Sequence, residues 1–549
     1  MSLSRRQFLR HAGCGLLVPL ASWGSATRVR AQSSINSTVP PEEVFGLSVA
    51  SGDPSPRGVV LWTRINPAAY QGGASFFVQV AEDSQFQNLV VDAAVPPDAM
   101  PGHADFTVRI SLEGWLDPNR RYFYRFIYNG VASRTGECQT LPTAEADVDQ
   151  IKFGVLTCQD FTNGYYGALS RLAEQDVDFV IHLGDFIYES VGDPQFQFLP
   201  FPDRVFELPG GSTVALGLED FRAIYRQYRS DPLMQRLLER HTIISIWDDH
   251  ESANDCYWDY ERDTFGAPDH PFSKENPEGG DPAKLTQLKL DSMRAWSEYI
   301  PSSVVPNQGA THPFDFLQIY RKFTFGSLAE LFMTDERTYR SPQRQWLLDG
   351  MAASPTQWKV WGNEVFQGAF NIGKTRLTDL HFNVDAWDGY EFERSLIMHQ
   401  LKESGVTNLV VLTGDMHTYM ASRLKIDYRH RDNDNHENIV GVEFMTPGVT
   451  SSNLLELFTN ATSRVSQAAR RENIEIPVHN LERLVKETNP HIHFFNSELW
   501  GYSIVEFNRE YCEYTAYSVD KADNSAEAEQ SIIRKIRTPS GSPQFIDVM

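Results

Sequence analysis

The chain has 549 residues, of which 41% are hydrophobic and 12% aromatic, and its formal net charge is −23. This length suffices for at least two domains with a large buried core, and the composition excludes a disordered protein. The negative charge, with no compensating basic stretch, argues against a nucleic-acid-binding module and indicates a mainly solvated acidic surface. After the first residues no apolar run is long enough for a membrane helix, so we expect no membrane span in the mature chain.

The first residues are typical of an export signal. The twin arginine Arg5-Arg6 precedes an apolar stretch that is too short to span a bilayer, and Ala31 ends a small-residue cleavage pattern. We therefore predict a Tat signal peptide over residues 1–31. The Tat export machinery would then deliver the folded protein to the periplasm or the medium.

Residues 40–142 are expected to form a small β-domain. Gly, Pro, Asp and Asn separate strand-like runs, which are VFGLSVASGDP, GVVLWTRI, ASFFVQVAED, DFTVRISLEGW and RRYFYRFIYNG. Their regular spacing predicts an Ig-like or fibronectin-like β-sandwich. A polar, acidic linker follows over residues 142–149.

Residues 150–521 are expected to form an α/β domain, because strand-like and helix-like runs alternate from Gln150 onward. GYYGALSRLAEQDV and LEDFRAIYRQYRSDPLMQRLLERH predict amphipathic helices, whereas Trp258 to Pro282 predicts an ordered loop over the site. Residues 522–549 are predicted to be a polar tail with at most one weak helix around Ala526 to Ile536.

Four apolar runs end in residues that bind metals or protons. FGVLT precedes Cys158, VIHLGDFIYE contains Asp185 and Tyr188, TIISIW precedes Asp248-Asp249-His250-Glu251, and NLVVLTG precedes Asp415 and His417. Such runs predict buried strands whose carboxyl ends meet at one edge of a sheet. A lone residue of these types is usually structural, but four clusters in the same context predict a polynuclear metal site. Two neighbouring metals can clamp a phosphate and generate hydroxide.

Cysteine usage is consistent with this interpretation. The predicted mature chain has four cysteines, Cys138, Cys158, Cys256 and Cys512. That number is too small for a disulfide scaffold. If Cys158 binds metal, at most one disulfide is available among the other three.

A family resemblance covers nearly the whole mature chain. The segments that carry it are, in order, SRRQFLR, GLSVASGDPSPRGVVLWTR, CQD, HLGDFIYE, YRQYRSDP, WDDHE, GNEVF, DGYEFER, LTGDMH and MTPGVTSS. With these motifs the chain resembles the PhoD-like family of secreted alkaline phosphatases and phosphodiesterases, within the calcineurin-like metallophosphatase superfamily. The resemblance implies an α/β fold, in which a four-layer αββα metallophosphatase domain follows an Ig-like β-domain. It also implies a hydrolase that cleaves phosphate esters by attack of a metal-bound hydroxide.

The resemblance assigns roles to individual residues. Asp185 corresponds to a carboxylate that bridges two metals, Tyr188 to a tyrosinate on ferric iron, and Cys158 to a thiolate ligand of this branch. The remaining implied metal ligands are Asp249, Asn363, Asp415 and His417. Their oxygen donors suit calcium better than zinc, and the family preference implies Fe(III) with Ca²⁺, other divalent metals being the alternative. His250 would not bind metal but would hydrogen-bond the phosphate and protonate the leaving group.

Further residues have two interpretations each. Asn254, Arg337 and Arg394 are candidates for substrate binding, although each arginine has the alternative of pairing with an internal acid. Asn254 is also, with Glu251, a candidate for an additional group around the metals. Glu364 stands in GNEVF where related chains often carry Gln; pointing inward it would repel phosphate or bind another cation, and pointing outward it would be only a surface acid.

Other functions remain as alternatives. Within the same class, a phospholipase D-like diesterase is a serious variant. From a different class, the chain would be a non-catalytic exported binding protein that calcium stabilises. Residues 368–375 also match the phosphate-binding P-loop pattern G-x-x-x-x-G-K-T. Because TRLTDLHF after it is a poor P-loop helix, we interpret this match as chance.

Overall fold

A computed structural model gives the fold. It describes side chains and backbone over residues 33–96, 99–100, 102–192, 197, 201–273, 281–371, 385–433, 435–460 and 480–549, and the backbone alone over 17–19, 372–374 and 379–381. The predicted Tat signal lies outside the described residues, apart from the backbone of 17–19. Within the described residues, no helix has both the length and the apolarity needed to cross a membrane.

The first part of the chain is rich in strands. They are β1 (Leu17–Pro19), β2 (Val49–Ser55), β3 (Gly58–Arg64), β4 (Phe76–Ala81), β5 (Leu89–Ala94), β6 (Thr107–Ser111), β7 (Arg121–Tyr128), β8 (Val131–Ala132) and β9 (Gly136–Gln139), with a short helix α1 (Pro41–Val44) and 3-10 turns at Pro67–Ala69 and Gly102–Ala104. One layer contains β5, β4, β7 and β8 in this order, with β9 on β7, and the other contains β2, β3 and β6. Val78 and Tyr124 of the first layer share a core with Leu61 and Ile110 of the second. The two layers therefore pack face to face as the predicted sandwich.

After residue 149 strands and helices alternate. The strands are β10 (Gln150–Leu156), β11 (Phe179–His182), β12 (Thr242–Ser245), β13 (Tyr257–Asp259), β14 (Thr264–Gly266), β15 (Arg321–Phe325), β16 (Ala329–Met333), β17 (Trp358–Gly362), β18 (Asn371–Lys374), β19 (Asp379–His381), β20 (Leu409–Thr413), β21 (Tyr419–Lys425), β22 (Ile439–Met445), β23 (Ile492–Asn496), β24 (Gly501–Asn508), β25 (Tyr511–Val519), β26 (Gln530–Pro539) and β27 (Ile546–Asp547). The helices are α2 (Gly167–Ala173), α3 (Leu218–Arg229), α4 (Pro232–Arg240), α5 (Pro282–Tyr299), α6 (Pro313–Phe316), α7 (Ser341–Ala353), α8 (Glu391–Glu403), α9 (Leu454–Thr459) and α10 (Leu481–Thr488), with 3-10 turns at Pro202–Arg204, Asp249–Glu251 and Trp387–Tyr390.

The second predicted amphipathic helix is divided into α3 and α4. Asp231 accepts hydrogen bonds from the backbone N–H groups of Leu233 and Met234, and Pro232 occupies the first position of α4. A capping Asp followed by Pro is a strong start signal for a new helix. The break before α4 follows directly from this pair.

Two large mixed sheets form the centre of the molecule. The first runs in the order β1-β6-β3-β2-β12-β11-β10-β24-β25-β26-β27, and the second in the order β15-β16-β17-β20-β22-β21-β23. Because β12 pairs in parallel with β2, one layer of the N-terminal sandwich continues into the first sheet. The sandwich is thus joined to the α/β part by backbone hydrogen bonds as well as by residues 142–149.

Alternating side chains of the second sheet connect four layers. Val360 and Val410 point into the core shared with the first sheet, whereas Trp361 and Val411 point into the core formed with α7 and α8. On the other side, helix α2 lies close to the first sheet, where a Cβ on Gly154 would come within 2.7 Å of Leu172. The order helix, sheet, sheet, helix is the predicted αββα architecture.

The C-terminal segment is different from our expectation. Instead of a weak helix around Ala526 to Ile536, the structure has strand β26, which pairs antiparallel with β25. The β-branched Ile532, Ile533 and Ile536 favour a strand, and Lys535 and Arg537 pair with Glu513 across it. Cross-strand contacts therefore outweigh the local helix signal. The loop expected after Trp258 likewise contains the short β13–β14 hairpin.

Candidate metal centre

The parallel strands of both sheets end near one another. β10, β11 and β12 are parallel in the first sheet, and β16, β17, β20 and β22 are parallel in the second. The predicted metal ligands stand directly after these strands: Cys158 after β10, Asp185 after β11, Asp249 after β12, Asn363 after β17, and Asp415 and His417 after β20. The carboxyl ends of strands thus supply the site, as in other open α/β folds.

Several of these residues adopt an uncommon backbone conformation. Cys158, Asp185, Asp415 and His417 have φ values of 54°, 55°, 63° and 53°. Non-glycine residues rarely adopt a positive φ, and such strain concentrates at functional sites. Four strained residues after three strands indicate that side-chain placement here has been favoured over local backbone energy.

One half of the centre, the sulfur–phenol group, contains Cys158, Asp185, Tyr188 and His417. Potential ligand atoms of Cys158, Asp185 and His417 lie within 4.8 Å of one another. The Tyr188 hydroxyl donates to Asp185 Oδ2 at 3.1 Å and lies 3.1 Å from His417 Nε2. Because His417 Nδ1 donates to the Ser452 carbonyl at 2.5 Å, its Nε2 is the nitrogen that faces the group.

Hydrogen bonds and burial set the protonation of the sulfur–phenol group. Burial, with the nearby Asp185 carboxyl, raises the pKa of both the Cys158 thiol and the Tyr188 phenol well above their usual values. Burial lowers the pKa of His417 to about 4, so its imidazole is neutral, the form that binds metals. A bound cation reverses this preference for thiol and phenol, since metals bind their deprotonated forms.

The other half, the carboxylate group, contains Asp248, Asp249, Asp385 and Asp415. Oxygen atoms of Asp248, Asp249 and Asp415 lie within 4.8 Å of one another, and Asp249 and Asp385 form a similar set with Asp255. Asp249 also lies within 4.8 Å of Asp185 and His250. The two halves are therefore neighbours, with Asp185 and Asp249 at the junction.

Arg337 is the counterion of the carboxylate group. Its buried guanidinium contacts Asp248 at 2.5 Å, Asp415 at 3.4 Å and Asp249 at 3.5 Å, and also pairs with Asp385. One guanidinium among four carboxyl groups leaves an excess of buried negative charge. In agreement, burial raises the pKa of Asp248 to about 7 despite Arg337.

This donor set fits metal cations. Asp248 Oδ2 is buried and has no hydrogen-bond partner among the described residues. An orphaned carboxylate oxygen beside excess negative charge is costly unless a cation neutralises it. The sulfur–phenol group offers sulfur, phenol and imidazole, and the carboxylate group offers oxygen donors, so the two halves suit different metals.

Glu251 holds the two acidic loops of the first sheet together. Its carboxylate accepts hydrogen bonds from the backbone N–H groups of Asp185 at 3.0 Å, Phe186 at 2.6 Å and Asp248 at 2.7 Å. Gly184 permits this approach: its φ is 105°, and a Cβ there would lie 2.7 Å from the Asp248 nitrogen. Of the two roles considered for Glu251, the contacts favour a supporting one.

His250 lies against the sulfur–phenol group. Its ring stacks on Tyr188 with a centroid distance of 4.0 Å, and its Nδ1 lies 2.7 Å from Glu189 Oε2. Burial disfavours the charged imidazolium, but Glu189, Asp249 and Asp185 outweigh it and raise the pKa of His250 well above its usual value. This shift favours the imidazolium form of His250, which is the form that donates a proton.

Asn363 is fully buried at the end of β17. Trp387 Nε1 donates to its Oδ1 at 3.2 Å, and its Nδ2 donates to the Val365 carbonyl at 2.5 Å. An amide oxygen has two lone pairs, so the bond from Trp387 leaves one available for a cation. The orientation of the carboxamide is thus fixed before any ligand binds.

The three candidates for substrate binding have different environments. Arg337 lies inside the carboxylate group, as described above. Asn254 donates from its backbone to Glu189 and from its side chain to Asp269, which places it next to the partner of His250. Arg394 is buried, pairs with Asp388 at 3.0 Å and lies over the Tyr428 ring. For Arg394 the structure favours the alternative, pairing with an internal acid.

Glu364 points inward, so the interpretation as a surface acid is wrong. The residue is fully buried, and its Oε1 accepts a hydrogen bond from the Glu336 nitrogen at 3.3 Å. Burial and the neighbouring Glu336 raise its pKa well above the usual value. A protonated Glu364 resembles the Gln that related chains often carry.

The P-loop match does not have the structure that its pattern requires. Residues 371–374 of the match form strand β18, which pairs with β19. In a P-loop these residues would form a loop leading into a helix. The match is therefore a chance one.

The four cysteines form no disulfide with one another. Free thiols are found at Cys138, Cys158, Cys256 and Cys512.

Sequence reasoning missed part of the centre. Asp385 precedes a 3-10 turn rather than following an apolar run, so no strand signal marked it. Glu189, the partner of His250, directly follows Tyr188 in the sequence, and this position could have marked it as a candidate for the site. Ser451, whose hydroxyl donates to the Tyr188 oxygen at 2.6 Å, lies in the quoted motif MTPGVTSS but had no role assigned.

An αββα core with clustered metal-binding side chains at the strand ends defines a metallophosphoesterase. The profile of the PhoD-like phosphatase family matches residues 153–344 and 341–516, and the profile of the N-terminal domain of PhoD-like phosphatases matches residues 30–142. The chain belongs to the PhoD-like phosphatase family. It is accordingly a metal-dependent hydrolase that acts on phosphoric ester bonds.

Individual relatives agree with this assignment. The chain is 29% identical over 531 residues to alkaline phosphatase D of Bacillus subtilis (strain 168), covering 90% of this chain and 81% of the relative. A solved structure of PhoD superposes with a TM-score of 0.74 at 26% identity, covering 93% of this chain and 94% of the other. The likeness therefore extends over the β-sandwich and the α/β part alike.

Proposed function

We propose that the protein is an exported alkaline phosphatase and phosphodiesterase with a mixed metal centre. The observation that carries the proposal is the junction of two unlike donor groups at Asp185 and Asp249. Asp185 contacts residues of both loops, since its carboxylate accepts from the Tyr188 hydroxyl and from the backbone N–H of His250. A carboxylate in this position is suited to bridge two cations.

The sulfur–phenol group would hold Fe(III). Thiolate, phenolate and imidazole from Cys158, Tyr188 and His417 are donors for a transition metal rather than for calcium. Asp185 would complete this set. Ser451, Thr157 and the Ser452 carbonyl already orient these donors by hydrogen bonds, which supports a preformed site.

The carboxylate group would hold Ca²⁺. Asp249, Asn363 and Asp415 offer only oxygen donors, which calcium prefers. Asp248 and Asp385 add carboxylates to the same region, and Arg337 offsets part of their charge. Other divalent cations with the same preference for oxygen are the alternative occupants.

Protein groups around the metals would bind the ester and move a proton. Bound metals would supply Lewis-acid stabilisation of the phosphate oxygens and activation of water. His250 would contact the phosphate as an imidazolium and protonate the leaving oxygen from Nε2, because Glu189 holds Nδ1. General acids of this kind contribute about 10²–10⁴-fold to a rate.

Export and domain organisation are part of the proposal. The twin-arginine segment would direct the chain through the Tat machinery to the periplasm or the medium, with cleavage after residue 31. We propose a β-domain over 40–142 and a catalytic domain over 150–521. The remaining residues 522–549 would extend the first sheet through β26 and β27.

The mature protein should hydrolyse p-nitrophenyl phosphate and bis-p-nitrophenyl phosphate at alkaline pH, and a chelator should abolish both activities. The faster of the two substrates decides between a monoesterase and a diesterase, including the phospholipase D-like variant. No turnover by a folded, metal-loaded sample would contradict the proposal and leave a calcium-stabilised binding protein, which the family does not favour.

A further inference from the structure

A cleft of about 280 Å³ opens beside the carboxylate group. Its walls come from residues 256–258 and 260, from 336, 337 and 339, and from 385–387, 390 and 393, with Val365 at one side. Arg337 and Asp385 line the cleft and also belong to, or contact, the carboxylate group. A molecule in the cleft would therefore have one end at the metal centre.

Aromatic rings dominate the lining of this cleft. They belong to Tyr257, Trp258, Tyr260, Tyr339, Trp387 and Tyr390. The two tryptophans are buried, whereas Tyr257, Tyr260 and Tyr390 are 43%, 62% and 56% exposed. Rings of this size remain exposed on a protein at a cost in free energy, and a cluster of them marks a binding surface.

Internal contacts engage the polar atoms of several of these rings. Trp387 donates its N–H to Asn363, and the Tyr339 hydroxyl donates to Glu393 at 2.9 Å. The Tyr260 hydroxyl donates to the Tyr339 carbonyl. Tyr339 and Trp387 also pack edge to face at a centroid distance of 5.4 Å. The rings are thus pre-organised, which lowers the entropy lost on binding.

The charges around the cleft select against an anionic occupant. Among the described lining residues, Arg337 is the one cation, and four carboxyl groups already engage it. Arg344 neutralises Glu393 through contacts of 2.6 and 2.7 Å with its two oxygens. No spare cation is offered to a second phosphate, and the remaining surface is mainly aromatic.

We propose that this cleft binds the alcohol part of the substrate and that the preferred substrates are phosphate esters of uncharged, ring-bearing alcohols, such as benzyl or nucleoside esters. The proposal rests on the phosphoesterase function proposed above. The cleft volume is slightly below the usual range of about 300–1,000 Å³ for small-molecule pockets, which suits one or two rings. Stacking on an aromatic side chain contributes about tenfold per ring.

The test compares kcat/KM for benzyl phosphate and propyl phosphate, both esters of primary alcohols. We expect the metal-loaded enzyme to prefer the benzyl ester about tenfold, and Tyr390→Ala to reduce the preference to about threefold or less. Phe392→Ala is the matched control, because this ring lies two residues away, is 82% exposed and is not part of the cleft lining. It should retain the full preference.

Binding without turnover gives an independent measurement. In calorimetric titrations, benzylphosphonate should bind about tenfold more weakly to Tyr390→Ala than to the unmodified enzyme, whereas propylphosphonate should bind equally to both. Equal losses for both phosphonates would overturn the proposal, since Tyr390 would then affect the phosphate rather than the ring.

Two further outcomes separate this proposal from the proposed function. If benzyl and propyl phosphate are hydrolysed at equal rates, the cleft proposal fails and the phosphoesterase function stands; if no ester is hydrolysed, the function itself fails. Phosphocholine is the cationic comparison, because aromatic rings also bind quaternary ammonium groups. A preference for phosphocholine over benzyl phosphate would overturn the choice of an uncharged ring.

Discussion

The two halves of the metal centre are stabilised in different ways. In the sulfur–phenol group, uncharged hydrogen-bond partners such as Ser451 and Thr157 hold the donors, and burial favours neutral forms. In the carboxylate group, a single guanidinium from Arg337 balances several acids. The first half is therefore arranged by geometry, and the second depends on charge balance. We expect the stability of the carboxylate group to depend far more strongly on its positive charges than that of the sulfur–phenol group.

The largest expected effect is at Asp185, where the halves meet. Asp185→Asn removes the carboxylate while conserving its size, so both metals would lose a shared ligand. A loss of several kcal/mol of transition-state stabilisation corresponds to about a 10⁴-fold lower kcat/KM. Turnover of p-nitrophenyl phosphate and metal content of the purified variant check this expectation.

Asp176→Asn is the control for this substitution. The Asp176 side chain is 89% exposed, and its contact with Arg121 is long, at 3.8 Å. Such exposed pairs contribute little to stability, so the control should retain full activity and metal. An Asp185→Asn variant with normal turnover would refute the bridging role. A variant that loses activity but keeps both metals would limit Asp185 to orientation of the substrate.

Arg337→Gln tests the charge balance of the carboxylate group. Removing one partner of a buried ion-pair network costs about 3–5 kcal/mol, so the metal-free variant should unfold at a lower temperature. Calcium should stabilise the variant more than the unmodified protein, because it replaces the missing positive charge. Thermal unfolding with and without calcium measures both effects.

The control here is Arg483→Gln, since Arg483 and its partner Glu487 are 67% and 58% exposed at the side chain. Exposed pairs contribute about 0–1 kcal/mol, so its unfolding should change little. If Arg337→Gln were equally harmless, the carboxylate group would not depend on its guanidinium, and the contrast between the halves would disappear.

Sequence patterns were informative where a ligand follows a buried strand and uninformative elsewhere. The apolar runs before Cys158, Asp185 and Asp415 predict strands, and the structure has β10, β11 and β20 there. No continuous apolar run stands before Asp385 in the sequence, and only the tertiary fold brings it to Arg337. Because such contacts join segments far apart in the chain, local periodicity carries no signal for them.

The same limit applies at the C-terminus. The polar composition after Ala522 suggests an exposed tail, yet Glu513 on β25 provides the cross-strand partner of Lys535 and Arg537. An antiparallel strand with one face toward solvent needs only one apolar face, so its composition resembles that of a tail. The partner strand, not the segment itself, determines the structure.

A smaller effect is expected from Glu189→Gln, which tests the charge on His250. Burial lowers the pKa of His250, and the Glu189 carboxylate raises it more than any other group does, so loss of this carboxylate should lower that pKa. The alkaline limb of the kcat–pH profile should move to lower pH, with about a tenfold loss at alkaline pH and little change at acidic pH. If the alkaline limb did not move, a group other than His250 would be responsible for it.

The linked effect on stability has a defined sign. Because the folded pKa of His250 is raised above its usual 6.5, its contribution to stability is complete below pH 6.5 and is lost as the pH rises through the folded pKa. Glu189→Gln should therefore destabilise the metal-free protein mainly at pH values below the folded pKa of His250. Unfolding measured across pH separates this effect from catalysis.

The smallest effect is expected from Glu364→Gln. This substitution compares an acid outside the carboxylate group with Asp249, which belongs to it. Burial and the neighbouring Glu336 raise the pKa of Glu364 well above its usual value, which favours the neutral form of this acid. Replacing a neutral acid by its amide should change the calcium concentration for half-maximal activity by less than about twofold. Asp249→Asn, which removes an acid whose pKa Arg337 and His250 hold low against burial, should raise that concentration at least about tenfold. If Glu364→Gln had the larger effect, Glu364 would be an ionised ligand, and the boundary of the carboxylate group would have to include it.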